Sequence, residues 1–532
     1  MAFAGASLSP MGCAMRMCSE GPEWIRIWIG PRLLTLLVIF TLCYFHALAN
    51  YSLQIDDELA SVRSDPGVWL MQGRWGAYLF ERWVVSLPAI PFAALFIFGV
   101  FSSIAYLVLL SAHGVVRPAV IHVLSFPVFA AFPTWMHLAA FSANIAAAGL
   151  ALLFCCLFAR AFVSYVDATT SRSAGALTHL MRAVVLAALA TSIYQSFVIT
   201  CAALGLGLLV ARALAQPEAS RPLRDLVMLM LILCLAVATY WIMNSIFLYA
   251  TGLRDGGYVG NIVNIRHFFL DPLGMVRAAL RNMAAVYGGS AHVFGMNILG
   301  FPLLILVGIV AIGALTISVV PSFAKRAVIL AMIGVLVLVP FSLDILSGGM
   351  PVRTMVAVPS AVWFFTMAGL TSGQYWLEKI SVVALLMSLL GLVQANNLVQ
   401  SVDMAVRHHD RQLAADLYRR IAEVQESFDS HKIYAVDIHG ALPFQPLQVR
   451  PMTSTWGYSF FEWDGGNLLR MVSYMRLLGY TNLVEASADR RRANLSIFSA
   501  MPRWPAPGSV VVHEGNTLIK LGDMPGYPFN VP

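Results

Sequence analysis

Residues 183–211 read AVVLAALATSIYQSFVITCAALGLGLLVA, with no charge between Arg182 and Arg212. The hydrocarbon core of a bilayer is about 30 Å thick and takes about 20 helical residues to cross. The stretch is therefore long for one upright helix and short for two. A single tilted helix is one reading; two short helices turning near Tyr194-Gln195-Ser196 are the other. Flanking charge favours two. Arg160, Arg172 and Arg182 precede the stretch, and Arg212, Arg221 and Arg224 follow it. The bias of Lys and Arg toward cytoplasmic loops puts both flanks on one side, which requires an even number of crossings.

Working outward, further apolar runs lie near 32–50, 88–111, 116–132, 141–159, 225–249, 293–320, 327–343, 353–372 and 380–399. With the pair, the expected spans number about eleven, the N-terminus inside and the C-terminus outside. The remaining inside loops then carry Arg117, Lys325-Arg326 and Lys379. The chain is 59% hydrophobic and 11% charged, against about 25% charged in soluble domains. That excludes the soluble globular class, and disorder and fibrous repeats with it. The net charge of +7 suits nucleic acid, anionic lipid or membrane topology. On the eleven-span map the cytoplasmic segments hold thirteen basic and six acidic residues, which is the whole surplus. The charge reads as topology, with no nucleic-acid partner.

Three regions follow: a cytoplasmic segment over 1–31, a membrane domain over 32–399 with external loops at about 51–87 and 250–292, and an external α/β domain over 400–532. Glu20 and Glu23, ahead of a late apolar run, argue against a signal peptide in the first region. In the last, Val406, Leu413, Leu417, Ile421 and Val424 recur at helical spacing among charges. Lys432–Ile438 reads as a strand, Asn467–Leu478 as an amphipathic helix, and 510–521 as a hairpin around Glu514-Gly515-Asn516. The seven cysteines show no CxxC pair and none lies beyond Cys234, so neither a zinc site nor a disulfide scaffold is expected.

The strongest chemical signal is Asp56-Asp57-Glu58, just past the first span. Successive carboxylates repel one another and favour a cationic partner or raised pKa values. They read either as a solvated loop start or as a general base or divalent-ion site at the membrane face. Arg63, Trp69, Gly73-Arg74-Trp75-Gly76 and Glu81-Arg82-Trp83 follow, a Trp-rich segment suited to the interface and to stacking on a sugar ring. Tyr194-Gln195-Ser196 is a polar island that needs partners or a wet cavity. Arg353, after Gly348-Gly349-Met350-Pro351, reads as a snorkelling residue or as a phosphate clamp, with Asp344 as a neighbour able to pair with it. His113, His122 and His137 are too dispersed for a metal cluster, and His408-His409-Asp410 reads as a solvated helix face. No Walker loop, GxSxG or HExxH appears in a supporting context.

Together these features resemble the glucosyltransferase Gtr type II family, O-antigen-modifying enzymes of phages and enteric bacteria. The matching pieces are Asp56-Asp57 with Gly73-Arg74-Trp75 downstream, Tyr194-Gln195, and Met350-Pro351-Val352-Arg353. The most specific piece is GYSFFEWDGGN over 457–467, with Arg470 after it and Met501-Pro502, Trp504-Pro505, Gly508-Ser509 and Ile519-Lys520-Leu521 beyond. One departure stands: Glu58-Leu59 intervenes before Arg63, so the partner of the acid pair is open.

The resemblance implies a GT-C-like, polytopic α-helical membrane protein with a small soluble α/β C-terminal domain. It implies a bacterial inner-membrane location with the C-terminal domain periplasmic, a polyprenyl-phosphate sugar donor, typically the undecaprenyl-phosphate glucose, and a glycan acceptor such as O-antigen or another lipopolysaccharide glycan. The expected reaction is an inverting single displacement. Asp56 or Asp57 takes the acceptor proton, and Arg353, helped by Arg74 or Arg254, stabilises the leaving phosphate. Tyr194 and Gln195 are expected to line the sugar or phosphate cavity. Trp75, Phe461, Glu462, Trp463 and Asp464 are expected to contact the acceptor or dock the tail domain. No cofactor is called for, although the acid pair is of the type that binds a divalent cation. The rival classes are a transporter or flippase of lipid-linked sugars, which more often shows related halves, and a glycan polymerase or ligase.

Overall fold

In hydrocarbon a backbone must satisfy its own N–H and C=O groups, so long apolar runs become helices. The computed structural model describes residues 31–50, 53–61, 63, 65–85, 92–115, 118–171, 173–257, 265–347, 350–445 and 455–527. Arg117, Arg172, Gly348-Gly349 and nearly all of the 1–31 segment lie outside them. Among the described residues, one compact unit takes those within Met1–Ala49 and Asp65–Asn397. The other takes those within Asn50–Ser64, Leu398–Arg450 and Thr455–Pro532.

The first unit is that of a polytopic helical membrane protein. Eight described helices are long and apolar enough to span. They are Ala93–Ala112, α1 (Ser142–Thr170), α2 (Ala176–Ile193), α3 (Phe197–Ala215), α4 (Pro222–Thr251), Gly300–Val319, Phe323–Ser347 and α5 (Tyr375–Val424). Val120–Ala130 and Pro133–Ala139 make a ninth if that pair, bent by 44°, is one span. Arg32–Cys43 and Val358–Leu370 are shorter apolar helices. The eleven expected spans correspond to these elements only when the bent pair and both short helices are counted. The uncharged 183–211 stretch is divided between α2 and α3, with Tyr194 extended (φ −154°, ψ 122°) at the break. Small residues let helices approach: a Cβ on Gly149 of α1 would stand 3.0 Å from Phe98 Cα, the packing expected where lipid supplies no hydrophobic drive between helices. α4 instead turns Leu231, Trp241, Ile246 and Tyr249 outward, as a lipid-facing helix does.

The second unit holds a four-stranded sheet. Its strands are β1 (Tyr434–His439), β2 (Leu483–Glu485), β3 (Val510–His513) and β4 (Asn516–Lys520), in the order β2-β1-β4-β3. β1 is parallel to β2 and β4, whereas β3 and β4 are antiparallel, with His513 opposite Asn516 at the Glu514-Gly515 turn. α6 (Leu468–Leu477) and α7 (Ala488–Ala500) precede and follow β2. The core combines Leu413, Leu417 and Ile421 of α5 with Val436 and Ile438 of β1, Phe460, Phe461, Met471 and Ile519. Ile55, from the segment read as the start of the first external loop, is fully buried in that same core. An apolar side chain followed by three acids is thereby anchored to the C-terminal unit.

Replacing Ile55 with Ala removes core volume and is expected to destabilise the second unit by about 3 kcal/mol. Limited proteolysis of the detergent-solubilised chain should then cut residues beyond 400 sooner than in wild type. Unchanged protection would show that Ile55 does not belong to that core.

Candidate active site

In the first unit, residues 65–85 meet the break between α2 and α3. Gly73 adopts φ +73°, and a Cβ there would stand 2.7 Å from Tyr240 Oη, so the turn needs glycine for both conformation and space. Gln195 Nε2 donates to Gln72 O at 2.8 Å and to Tyr240 Oη at 3.3 Å, while Tyr240 Oη donates to Gly73 O at 2.8 Å. Gln195 of the polar island thus finds its partners in one backbone carbonyl of the turn and the Tyr240 hydroxyl. Arg74 is buried with its guanidinium 4.6 Å from the Tyr194 ring and 5.6 Å from the Trp69 ring, a favourable cation–π arrangement. Trp75 stacks on Phe247 with centroids 5.4 Å apart and donates to Tyr240 O. Arg74, Trp75, Tyr194 and Gln195 are therefore brought together.

Tyr240, which organises them, was missed in the sequence. Tyr240, beside Trp241 in the apolar run of α4, is indistinguishable there from an interface aromatic. Arg254 is exposed, on the loop whose Gly256 N–H donates to Met71 O at 2.9 Å. Arg353 lies elsewhere in this unit, in the Val352–Thr354 turn, with its guanidinium 4.9 Å from the Phe141 ring. It makes no ion pair or hydrogen bond among the described residues. Asp344 does not pair with it; that carboxylate accepts from Asn282 Nδ2 at 3.1 Å and from the Met350 backbone N–H.

The three acids lie in the second unit and are not equivalent. Asp56 has φ +81°, a left-handed conformation that Asp tolerates better than most residues. It sits just before the Asp57–Ala60 helical turn, and its side chain is 48% exposed. Asp57 points inward, is 1% exposed, and accepts the Gln54 N–H at 3.0 Å. Glu58 is fully buried. Arg470 of α6 answers the open question of their partner. Its Nη2 reaches Asp56 Oδ1 at 2.6 Å, its Nε reaches Asp464 Oδ2 at 2.9 Å, and its Nη1 pairs with Glu58 Oε1. Burial pushes the Glu58 carboxyl up to about 7, against the opposing pull of Arg470. Burial alone disfavours charge on Arg470, but Asp56 and Glu58 hold its pKa above the ordinary arginine value.

A second buried arginine supports this layer. Arg407 donates to Asp410 Oδ2 at 2.8 Å, lies 3.5 Å from Asp403, and stacks 4.3 Å from the Phe460 ring. Gln54 Nε2 donates to Asp403 Oδ2 at 2.6 Å, and the Phe460 N–H donates to Asp410 Oδ2 at 3.1 Å. Asp410 is fully buried, which corrects its reading as part of a solvated face. Positions 403, 407 and 410 share one helical stripe; only His408 of the trio faces outward.

The SFFEWDGGN stretch divides likewise. Phe461 is core, Trp463 is half-buried edge-on to Tyr458, and Glu462 Oε2 accepts the Phe444 N–H at 3.3 Å. Asp464 takes φ +58° ahead of Gly465 and Gly466, where a Cβ on Gly466 would collide with Gly440 O. This turn presents Asp464 to Arg470. Among the described residues no three His, Cys, Asp or Glu side chains are placed to hold a metal ion, and in the acid cluster a guanidinium stands between the carboxylates.

A family model described as glucosyl transferase GtrII matches residues 45–369. The match includes Asp56, Asp57, Arg74, Tyr194, Gln195, Arg254 and Arg353 and ends before Asp464 and Arg470. No curated protein and no solved structure matches the chain.

Because Glu58 titrates near 7 when folded and near 4.5 when free, the folded chain holds a proton that the unfolded chain has lost between those values. Its contribution to stability is full below about pH 4.5 and declines as pH rises through about 7. The melting-temperature difference between wild type and Glu58→Gln should fall across that window and level off above it. A flat difference in detergent melts from pH 4.5 to 8 would rule this out.

Proposed function

This chain belongs to the glucosyl transferase GtrII family, and from that premise we propose that it moves glucose from a polyprenyl-phosphate donor to a surface or lipid-linked glycan such as O-antigen. It is a membrane glucosyltransferase, and as such needs a sugar donor and a glycan acceptor. The reading places it in the bacterial inner membrane with about eleven spans, a cytoplasmic N-terminus and a periplasmic C-terminal unit. The placement of Lys and Arg in the loops supports this orientation.

The observation that carries the reaction is the inequality of the two aspartates. Asp57 spends its carboxylate on the Gln54 N–H inside the unit. Asp56 is half-exposed, and its Oδ2 makes no hydrogen bond among the described residues while Oδ1 is held by Arg470. Asp56 is therefore assigned as the base and Asp57 as the residue that shapes its turn. Asp56 takes the acceptor hydroxyl proton as that oxygen bonds to the anomeric carbon. The bond from that carbon to the phosphate oxygen breaks on the opposite face, and its electron pair leaves with the polyprenyl phosphate. Inversion follows from the single displacement. The leaving phosphate needs charge compensation more than a proton, and arginine supplies it. Arg353, with no carboxylate partner among the described residues, is the first choice for that role, with Arg74 and Arg254 behind it. Tyr194 and Gln195 shape the surroundings of Arg74.

Purified chain given labelled polyprenyl-phosphate glucose and acceptor glycan tests the assignment. Asp56→Asn, which keeps the left-handed turn, should lower transfer by about 10²–10⁴-fold at unchanged membrane abundance. An active Asp56→Asn with an inactive Asp57→Asn moves the base to Asp57, and near-normal activity of both sinks the reading. Label crossing a bilayer without transfer would identify a transporter instead.

A further inference from the structure

Arg470 is held more firmly than a surface ion pair requires. Its side chain is 11% exposed, and each of its three nitrogens takes a different carboxylate. The two acids other than Asp56 have contacts of their own. Glu58 is buried in the Asp57–Ala60 turn, which packs on α6, and Asp464 sits on the positive-φ turn ahead of Gly465-Gly466. The edge of the guanidinium left over faces Asp56. Stability does not explain this third contact, because an ion pair to a half-exposed carboxylate contributes little. Glu58 Oε2 is buried without a hydrogen-bond partner among the described residues, a cost that proteins tend to retain at functional sites.

We propose that Arg470 is a positioning residue for the transfer reaction: clamped by Glu58 and Asp464, it fixes the direction in which Asp56 presents its free oxygen to the acceptor hydroxyl. This rests on the assignment of Asp56 as the base. The role calls for arginine, since a planar fork addresses three directions at once whereas an ammonium is a point charge without that geometry. Orientation is worth much in such a step: a misplacement of about 1 Å can cost about 10²-fold in rate. The competing account is that Arg470 only neutralises the buried Glu58.

The test uses the full-length chain in membranes, with labelled polyprenyl-phosphate glucose and acceptor glycan, and reads kcat and KM separately. Arg470→Gln alone would leave the buried Glu58 carboxyl without its cation, so the informative variant is Arg470→Gln with Glu58→Gln, which removes both ionisable groups. It is expected to match wild type in abundance and protease resistance and to lose kcat by about 10²-fold, with the donor KM within about twofold. Arg470→Lys should fall between that variant and wild type.

If the double variant does not accumulate, Asp464→Asn carries the test. That acid is on the surface and loosens the clamp without touching the core, so kcat should drop several-fold at unchanged protease resistance. Wild-type kcat in the double variant, or in Asp464→Asn, overturns the proposal. An inactive Asp56→Asn beside an active double variant overturns it alone, whereas an active Asp56→Asn removes its premise as well.

Discussion

A guanidinium shared among three carboxylates is the contact on which the second unit's chemistry depends. Removing a charge from water is costly unless a partner replaces the lost hydration. Glu58 is fully buried and Arg470 nearly so, so the pairing offsets the cost of burying either charge. That pairing brings a turn from residues 50–64 onto a helix more than four hundred positions later in the chain. Ile55 supplies the apolar half of the same attachment. Arg407 with Asp403 and Asp410 forms a second buried group of the same kind, which Gln54 also enters. The first acidic segment is thus folded as part of the C-terminal unit, though it is written among the membrane helices.

The first unit solves a different problem with the same rule. Gln195, at the break in the 183–211 stretch, would leave its amide unsatisfied in hydrocarbon, and the Gln72 carbonyl and the Tyr240 hydroxyl answer it, while Tyr240 donates in turn to the Gly73 carbonyl. Gly73 allows the turn to come that close, and Tyr240 bridges it to Gln195. Arg74 keeps its charge in a buried setting by lying against Tyr194 and Trp69.

What the sequence made legible follows from the range of each signal. Apolar length and flanking charge are local, so the helices and the break at Tyr194-Gln195-Ser196 could be read directly. The α2–α3 division was favoured by arginines on both flanks of an uncharged run, with the polar island marking the turn. The partner of the acids could not be read that way, because Arg470 looks like any polar residue on an amphipathic helix until the fold places it. Asp410 misled for a related reason: its neighbours His408 and His409 suggested a wet surface, while the helical period from 403 through 407 places it inside. Tyr240 was hidden by the apolarity of its own helix. The inequality of Asp56 and Asp57 was equally invisible, since it arises from one backbone angle and from which carboxylate meets Gln54.

Charge sorts the proposed roles further. The acid cluster sets three carboxylates against a single guanidinium, so it is net negative whenever more than one of them is ionised. A lipid phosphate is repelled by such a group, whereas a neutral sugar hydroxyl is not. Arg353 presents the converse, a partly buried cation facing an aromatic ring, with no carboxylate pairing with it among the described residues. Aromatic contact leaves its N–H donors available, and a phosphate uses that fork in the plane. Under the proposed reaction, a base kept among carboxylates is protected from capture by the donor's own anion. A cation that pairs with no carboxylate among the described residues retains its full charge for the moment when the phosphate takes up the electron pair.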